Sequence, residues 1–230
     1  DFNEDKSIAF FTKNGIIKRT NLSEFKNIRS VGVRAINLDE NDELVTAKII
    51  YPSIKEILVV TYEGMCVRFG VENVREIGRV ARGVTAIKFK MPNDYVIGAT
   101  AIIDENEEIL SVSEKGIGKR TEVNEYRITN RGGKGVIAMK LTGKTGKLVG
   151  VVNVDEKMDL MVLTSSGKMI RVDMQSIRKA GRATSGVIIV NVDDDKVVSI
   201  ARCPKEEKES EVREGDEGEE AKLLGGDNLE

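Results

Sequence analysis

The side chains in this sequence best placed to do chemistry are lysines and arginines, because they recur at matching places along the chain. One set closes a short apolar strand: Lys18 and Arg19, then Arg68, then Lys119 and Arg120, then Arg171. A second set stands in the loop that follows: Arg29; Arg75, Arg79 and Arg82; Arg127, Arg131 and Lys134; Arg178, Lys179 and Arg182. Cations arrayed this way suit a polyanionic backbone, since each neutralised phosphate releases counterions and adds affinity without reading sequence. In Arg131-Gly132-Gly133-Lys134-Gly135 the glycines would let main-chain N–H groups face phosphate oxygens. A charge-rich loop is more often only a solvated surface, and recurrence in phase is what sets this array apart.

Other chemistry is poorly served. There is no histidine, which removes the commonest general base and the commonest metal ligand together. Cys66 and Cys203 have no CxxC spacing, so neither a zinc site nor a disulfide framework is indicated, and both read as reduced thiols of a cytosolic protein. Gly143-Lys144-Thr145-Gly146 contains Gly-Lys-Thr, but position 138 is alanine where a phosphate-binding P-loop needs glycine, so it reads as a tight turn. None of Tyr51, Tyr62, Tyr95 and Tyr126 has a context that suggests a nucleophile. No catalytic residue, cofactor or metal is therefore expected in this chain. Aromatics are 4% with no tryptophan, which argues against holding single strands by base stacking and leaves the double helix as the expected polyanion.

The elements that must position these cations show as internal repeats. A strand, a turn at Xaa-Gly and a second strand recur as IAFFTKNGIIKRT, ILVVTYEGMCVRF, ILSVSEKGIGKRT and LMVLTSSGKMIRV. Their turn glycines, Gly15, Gly64, Gly116 and Gly167, are 49, 52 and 51 positions apart. A second landmark runs in phase as SVGVRAI, ARGVTAI, GKGVIAM and TSGVIIV, with Gly32, Gly83, Gly135 and Gly186 spaced by 51, 52 and 51. Valine and isoleucine dominate the apolar positions and favour strands. Each unit thus supplies about four short strands in roughly 50 residues, the period of radially arranged blades. Helix is limited to short turns in LSEFKNI and MQSIRKA.

The expected fold is all-β: a propeller-like array of about four four-stranded blades forming an open arc. Residues 1–203 form the body, with repeats at about 8–54, 57–105, 109–156 and 160–203, and carry 32 basic and 27 acidic residues. Residues 204–230 carry 11 acidic and 4 basic residues and read as a disordered acidic tail. No apolar run is long enough for a membrane span, no signal peptide opens the chain, and a start at Asp1 suggests an excised domain.

The segments TKNGIIKRTNLSEF, SEKGIGKRTEVNEY, NRGGKGVIAMKL and RKAGRATSGVIIV resemble the C-terminal domain of the DNA gyrase A subunit, from about Ile8 to Arg202. The resemblance implies a β-pinwheel, a disc whose blades exchange strands and around whose basic perimeter double-stranded DNA bends. It further implies a non-catalytic part of a bacterial topoisomerase in the nucleoid-associated cytoplasm, partnered by the gyrase B subunit, with the rest of the gyrase A subunit, in a heterotetramer. ATP and magnesium would be used elsewhere in that enzyme, negative supercoils would be its product, and the acidic tail would regulate wrapping. The isolated domain is expected to be monomeric. The family's box motif, Gln-Arg/Lys-Arg-Gly-Gly-Lys-Gly, is matched only in its last five residues, with Thr129 and Asn130 in place of the first two, and in the third repeat rather than the first. The four repeats resemble the last four of the family's six, so wrapping by this chain alone is less secure than binding. Two other readings stay open: the corresponding domain of the topoisomerase IV A subunit, and a protein-interaction propeller whose rim is only solvated charge.

Overall fold

The structure, a computed structural model, describes residue 2 and residues 5–206. The acidic tail lies outside the described residues beyond Glu206.

Each apolar hairpin read from the sequence forms two antiparallel strands around its glycine turn. In the first repeat β1 (Ser7–Thr12) pairs with β2 (Ile16–Asn21), and β3 (Leu44–Ile50) returns along the other edge of β1. The second repeat supplies β4 (Glu56–Thr61), β5 (Met65–Gly70), the two-residue β6 (Val84–Thr85) and β7 (Val96–Ile102). The third repeats this with β8 (Glu108–Ser113), β9 (Ile117–Glu122), β10 (Val136–Ile137) and β11 (Leu148–Asn153). The fourth gives β12 (Met158–Thr164), β13 (Met169–Asp173), β14 (Val187–Ile188) and β15 (Val197–Pro204). Single 3-10 turns follow each hairpin, at Leu22–Phe25, Val71–Asn73, Val123–Glu125 and Met174–Ser176. No helix among the described residues is long and apolar enough to cross a membrane.

The sheets do not follow the repeats. Their orders are β3-β1-β2-β6, β10-β5-β4-β7, β11-β8-β9-β14 and β13-β12-β15. The short strands after Gly83, Gly135 and Gly186 therefore complete the preceding blade: β6 lies on β2, β10 on β5 and β14 on β9. This is the all-β pinwheel expected from the sequence, with the fourth blade three-stranded among the described residues. Gly135 shows why the landmark is glycine. Its φ is +69°, and a Cβ there would stand 2.1 Å from the Cys66 carbonyl oxygen of the blade that receives the strand.

Blade stacking explains the uninterrupted apolar runs. Along β4, Ile57 and Val59 enter a core with Ala9, Phe11 and Ile17 of the first blade, while Leu58 and Val60 enter one with Ile109 and Val123 of the third. Leu110 and Val112 of β8 meet Leu160 and Val162 of β12 in the last core. A strand with a blade on both sides buries both faces, so it reads as continuously hydrophobic rather than alternating. In β12, which has only one flanking blade, Leu160 and Val162 are buried and Met161 and Leu163 are half-exposed. Residues of β3, β7, β11 and β15 together line one cavity.

Candidate nucleic-acid interface

The two in-phase sets of cations have different fates. Most of those that close the second hairpin strand point inward, whereas Arg19 is half-exposed and Arg171 exposed. Lys18 and Lys119 are 0% exposed, Arg68 3% and Arg120 9%. The Lys18 ammonium donates to the Ala35 and Arg79 carbonyls, and Lys119 Nζ donates to the Gly181 carbonyl at 2.6 Å and to that of Arg182. Burial lowers both lysines from an ordinary 10.5 to about 8, against the attraction of Glu24 and Glu125 respectively. Arg68 pairs with Glu56 and donates through Nη1 to the carbonyls of Val123 at 2.8 Å and Tyr126 at 2.9 Å. Arg120 donates to the Ile177 carbonyl at 2.7 Å and to Gln175 Oε1 at 2.7 Å. Arg19 lies 3.9 Å from Glu76. Arg171 takes Asp159 at 2.7 Å and the Pro204 carbonyl and Glu206 instead.

This corrects the reading of Lys18, Arg68, Lys119 and Arg120 as part of a solvent-facing phosphate stripe. Lys18, Arg68, Lys119 and Arg120 are buried ties from one blade to the loop of the next repeat, and Arg19 and Arg171 are paired to carboxylates. The main chain makes the same tie: Ile77, Thr129 and Ala180 donate amides to the carbonyls of Arg19, Arg68 and Arg120 at 2.9, 2.8 and 2.9 Å. Strand alternation carried a signal. Where the first and third blades have Lys18 and Lys119, the second and fourth have Val67 and Ile170, so this position faces inward.

The loop cations are the outward set. Arg29, Arg75, Arg82, Arg127, Lys134, Arg178 and Lys179 are exposed, and Arg79, Arg131 and Arg182 are half-exposed. Their loops form a continuous belt, because each is bonded to the next at equivalent atoms. Asn37 donates its amide to the Ala81 carbonyl at 3.2 Å, Lys88 to Gly133 at 2.9 Å and Lys140 to Thr184 at 3.1 Å. Those bonds bring in two exposed lysines absent from the sequence reading, Lys88 and Lys140. They stand five positions after Gly83 and Gly135, a phase that could have revealed them inside an otherwise apolar landmark.

Four outward groups are partly spent. Arg82 Nε lies 2.6 Å from Asp39 Oδ1, and Lys179 pairs with Glu108. Arg131 donates to the carbonyls of Asn73 at 2.9 Å and Thr85 at 3.1 Å, holding the donated strand β6 by its backbone, and Arg182 makes the equivalent bonds to Glu125 and Ile137. In the glycine-rich loop, the Gly132 N–H donates to the Ala86 carbonyl at 2.6 Å, so this amide is not free to face a phosphate. Gly133 and Lys134 are exposed, and Gly135 is half-exposed against the second blade. The Gly143–Gly146 stretch is a turn, closed by Thr145 N–H on the Thr142 carbonyl at 3.1 Å. Cys66 is buried with its thiol pushed up to about 12, which leaves it unreactive.

Four blades linked by donated strands, with their exposed cations on one bonded belt, define a propeller-like repeat domain of the pinwheel type. The chain belongs to the family described as the DNA gyrase C-terminal domain, β-propeller, whose model matches residues 6–50, 55–102, 107–155 and 159–204. It is 60% identical over 252 residues to the DNA gyrase A subunit of Campylobacter fetus, covering 96% of this chain and 29% of that protein. To the Helicobacter pylori (strain ATCC 700392 / 26695) counterpart it is 55% identical over 209 residues, covering 90% of this chain and 25% of that one. The chain thus spans less than a third of the length of these relatives. A solved DNA gyrase A C-terminal domain superposes with a TM-score of 0.78 at 26% identity, over 88% of this chain and 67% of that one. The C-terminal domain of DNA topoisomerase IV shares the fold, with a TM-score of 0.81 at 23% identity over 89% of this chain and 64% of that one.

Proposed function

We propose that this chain binds and bends double-stranded DNA along its loop belt as the non-catalytic C-terminal domain of a gyrase A subunit. In the whole enzyme, a cytoplasmic heterotetramer that also holds the rest of the gyrase A chain and the gyrase B chain, it would present the bent duplex for ATP-dependent strand passage. ATP and magnesium would act outside this chain. The observation that carries the reading is the outward belt: Arg29; Arg75 and Arg82; Arg127 and Lys134; Arg178 and Lys179 project from loops hydrogen-bonded to one another through four repeats.

Bending 20–30 base pairs by 40–90° costs on the order of 1–6 kcal/mol, which phosphate contacts spread along a curved belt offset. The buried ties matter because a belt of loose loops would lose that gain in ordering entropy. The side chains available for phosphate are the exposed and half-exposed loop cations with Lys88 and Lys140, together with the backbone at Gly133 and Gly135. Lys18, Arg68, Lys119 and Arg120 contribute by holding the loops. The test is energy transfer between dyes on the two ends of a duplex of about 40 base pairs. Ends that approach one another as this chain binds support bending, and binding with no change in end-to-end distance would refute it.

A further inference from the structure

The joints that tie the first, second and third blades to the following loop are not built alike. In the first, the Lys18 ammonium donates to the Arg79 carbonyl, Thr20 Oγ1 donates to the Ile77 carbonyl at 3.0 Å, and Glu24 Oε2 accepts from the Arg79 amide at 3.1 Å. In the third, Lys119 donates to the Gly181 and Arg182 carbonyls, Thr121 Oγ1 donates to the Ala180 carbonyl at 2.9 Å, and Glu125 Oε2 accepts from the Arg182 amide at 2.6 Å. The same three side chains, spaced alike, thus hold equivalent peptide groups two repeats apart. The second joint has none of them. Val67, Phe69 and Asn73 stand where the lysine, threonine and glutamate would, and Val67 and Phe69 are buried in the apolar core. Lysine and glutamate are absent together, so no charge is left stranded.

The loop of the second joint, residues 127–135, nevertheless keeps the register of the others. Arg131 Nε donates to the Asn73 carbonyl at 2.9 Å and Nη1 to that of Thr85, as Arg182 Nε does to Glu125 at 3.0 Å and Nη1 to Ile137. Arg131 therefore stands where Arg182 stands, beside a turn that offers its amide no carboxylate. The Asn73 side chain donates instead to Glu72 Oε1 at 3.4 Å, and among the described residues the Arg131 N–H donates no hydrogen bond. Asn73 is exposed and Arg131 half-exposed, so the place is open to solvent. A peptide N–H whose counterpart takes a carboxylate oxygen in two joints has the chemistry to take another anionic oxygen in the third. Arg127, Arg131 and Lys134 on the loop outweigh Glu72 on the turn, which favours an anion there.

We infer that the Arg131 N–H is a phosphate seat of the belt and that Asn73 is the residue that opens it, whereas Glu24 and Glu125 close the equivalent seats at Arg79 and Arg182. A backbone phosphate oxygen of the duplex takes the place that the Glu125 carboxylate holds in the third joint. This deepens the reading of the belt as the duplex surface, and rests on it. The three loops then hold DNA unequally. At this position the loops of the second and fourth repeats offer side chains only, because their amides are spent and their glutamates repel a phosphate. The loop of the third repeat adds a main-chain donor clamped by the Arg131 side chain. Such a donor fixes where the duplex backbone lies without reading its bases.

The test is site-resolved amide hydrogen exchange of the 230-residue chain, free and with a duplex of about 40 base pairs, beside salt-series binding titrations of two variants. In the free chain the Arg131 amide should exchange at least roughly ten-fold faster than those of Arg79 and Arg182, and the duplex should slow it. Asn73→Glu supplies the carboxylate of the other joints. It should slow Arg131 exchange without DNA, weaken duplex binding by about ten-fold and make the log[salt] slope shallower by roughly one. Asn124→Glu puts the same charge on the next blade's turn and should bind within about two-fold of the natural chain. If Asn73→Glu binds like the natural chain, or the free Arg131 amide is as protected as that of Arg79, the seat is refuted while the belt reading stands. Inorganic phosphate that slows Arg131 exchange as much as the duplex does would overturn the assignment to DNA. A natural chain that binds no duplex at low salt would remove the seat and the belt reading together.

Discussion

Arg68 and Arg127 differ in surroundings more than in chemistry. Arg68 is 3% exposed and closes Glu56 against two carbonyls of the third repeat, while Arg127 stands in solvent. Removing one partner of a buried pair strands the other, so Arg68→Ala should cost about 3–5 kcal/mol in urea unfolding. Arg127→Ala should stay within about 0.5 kcal/mol of the natural chain in the same assay. The buried lysines make a prediction in pH. The unfolded chain keeps their protons up to 10.5, whereas the folded chain releases them at about 8. The unfolded state thus holds more protons between those values, and stability should rise with pH across that window. In Lys119→Met the rise should be smaller, and overall stability should fall by about 1–3 kcal/mol because two loop carbonyls lose their donor. Equal pH slopes for variant and natural chain would contradict this. From the sequence, the cations and their phase were legible. Which of them face inward was not, because one-letter periodicity does not show whether a strand end meets solvent or the next repeat's loop. Only the apolar Val67 and Ile170 at the equivalent positions hinted at it.

The hairpins were fully legible as elements, since a β-branched run, an Xaa-Gly turn and a second run admit few alternatives. The landmark strands were harder. Their two residues sit beside a preceding blade some 70 positions away in the case of Val136 and Cys66. A pattern of local periodicity carries no information about such a partner, although the family resemblance did. The landmark glycine makes the pairing testable. Gly135→Ala forces a methyl toward the Cys66 carbonyl in a left-handed backbone, and should destabilise the chain by at least about 2 kcal/mol in urea unfolding. Gly143→Ala, where an added Cβ meets nothing within 4 Å, should change stability by less than about 0.5 kcal/mol. Similar losses for the two variants would mean that strand donation does not hold the blades together.

At the scale of the molecule, the blades act as a scaffold whose output is the spacing of loops. Each core lies between two blades, so every loop position depends on its neighbours, and the bonded belt converts that stacking into a curved line of cations. The most direct measurement is fluorescence anisotropy of a labelled duplex of about 40 base pairs, titrated with this chain over a series of salt concentrations. The natural chain should bind with an affinity that falls linearly in log[salt] and with little sequence preference. The triple variant Arg127→Ala, Lys134→Ala, Lys140→Ala should bind more weakly, with a slope shallower by roughly one for each phosphate it no longer neutralises. Binding that ignores salt, or a triple variant indistinguishable from the natural chain, would contradict the belt as the surface that holds DNA.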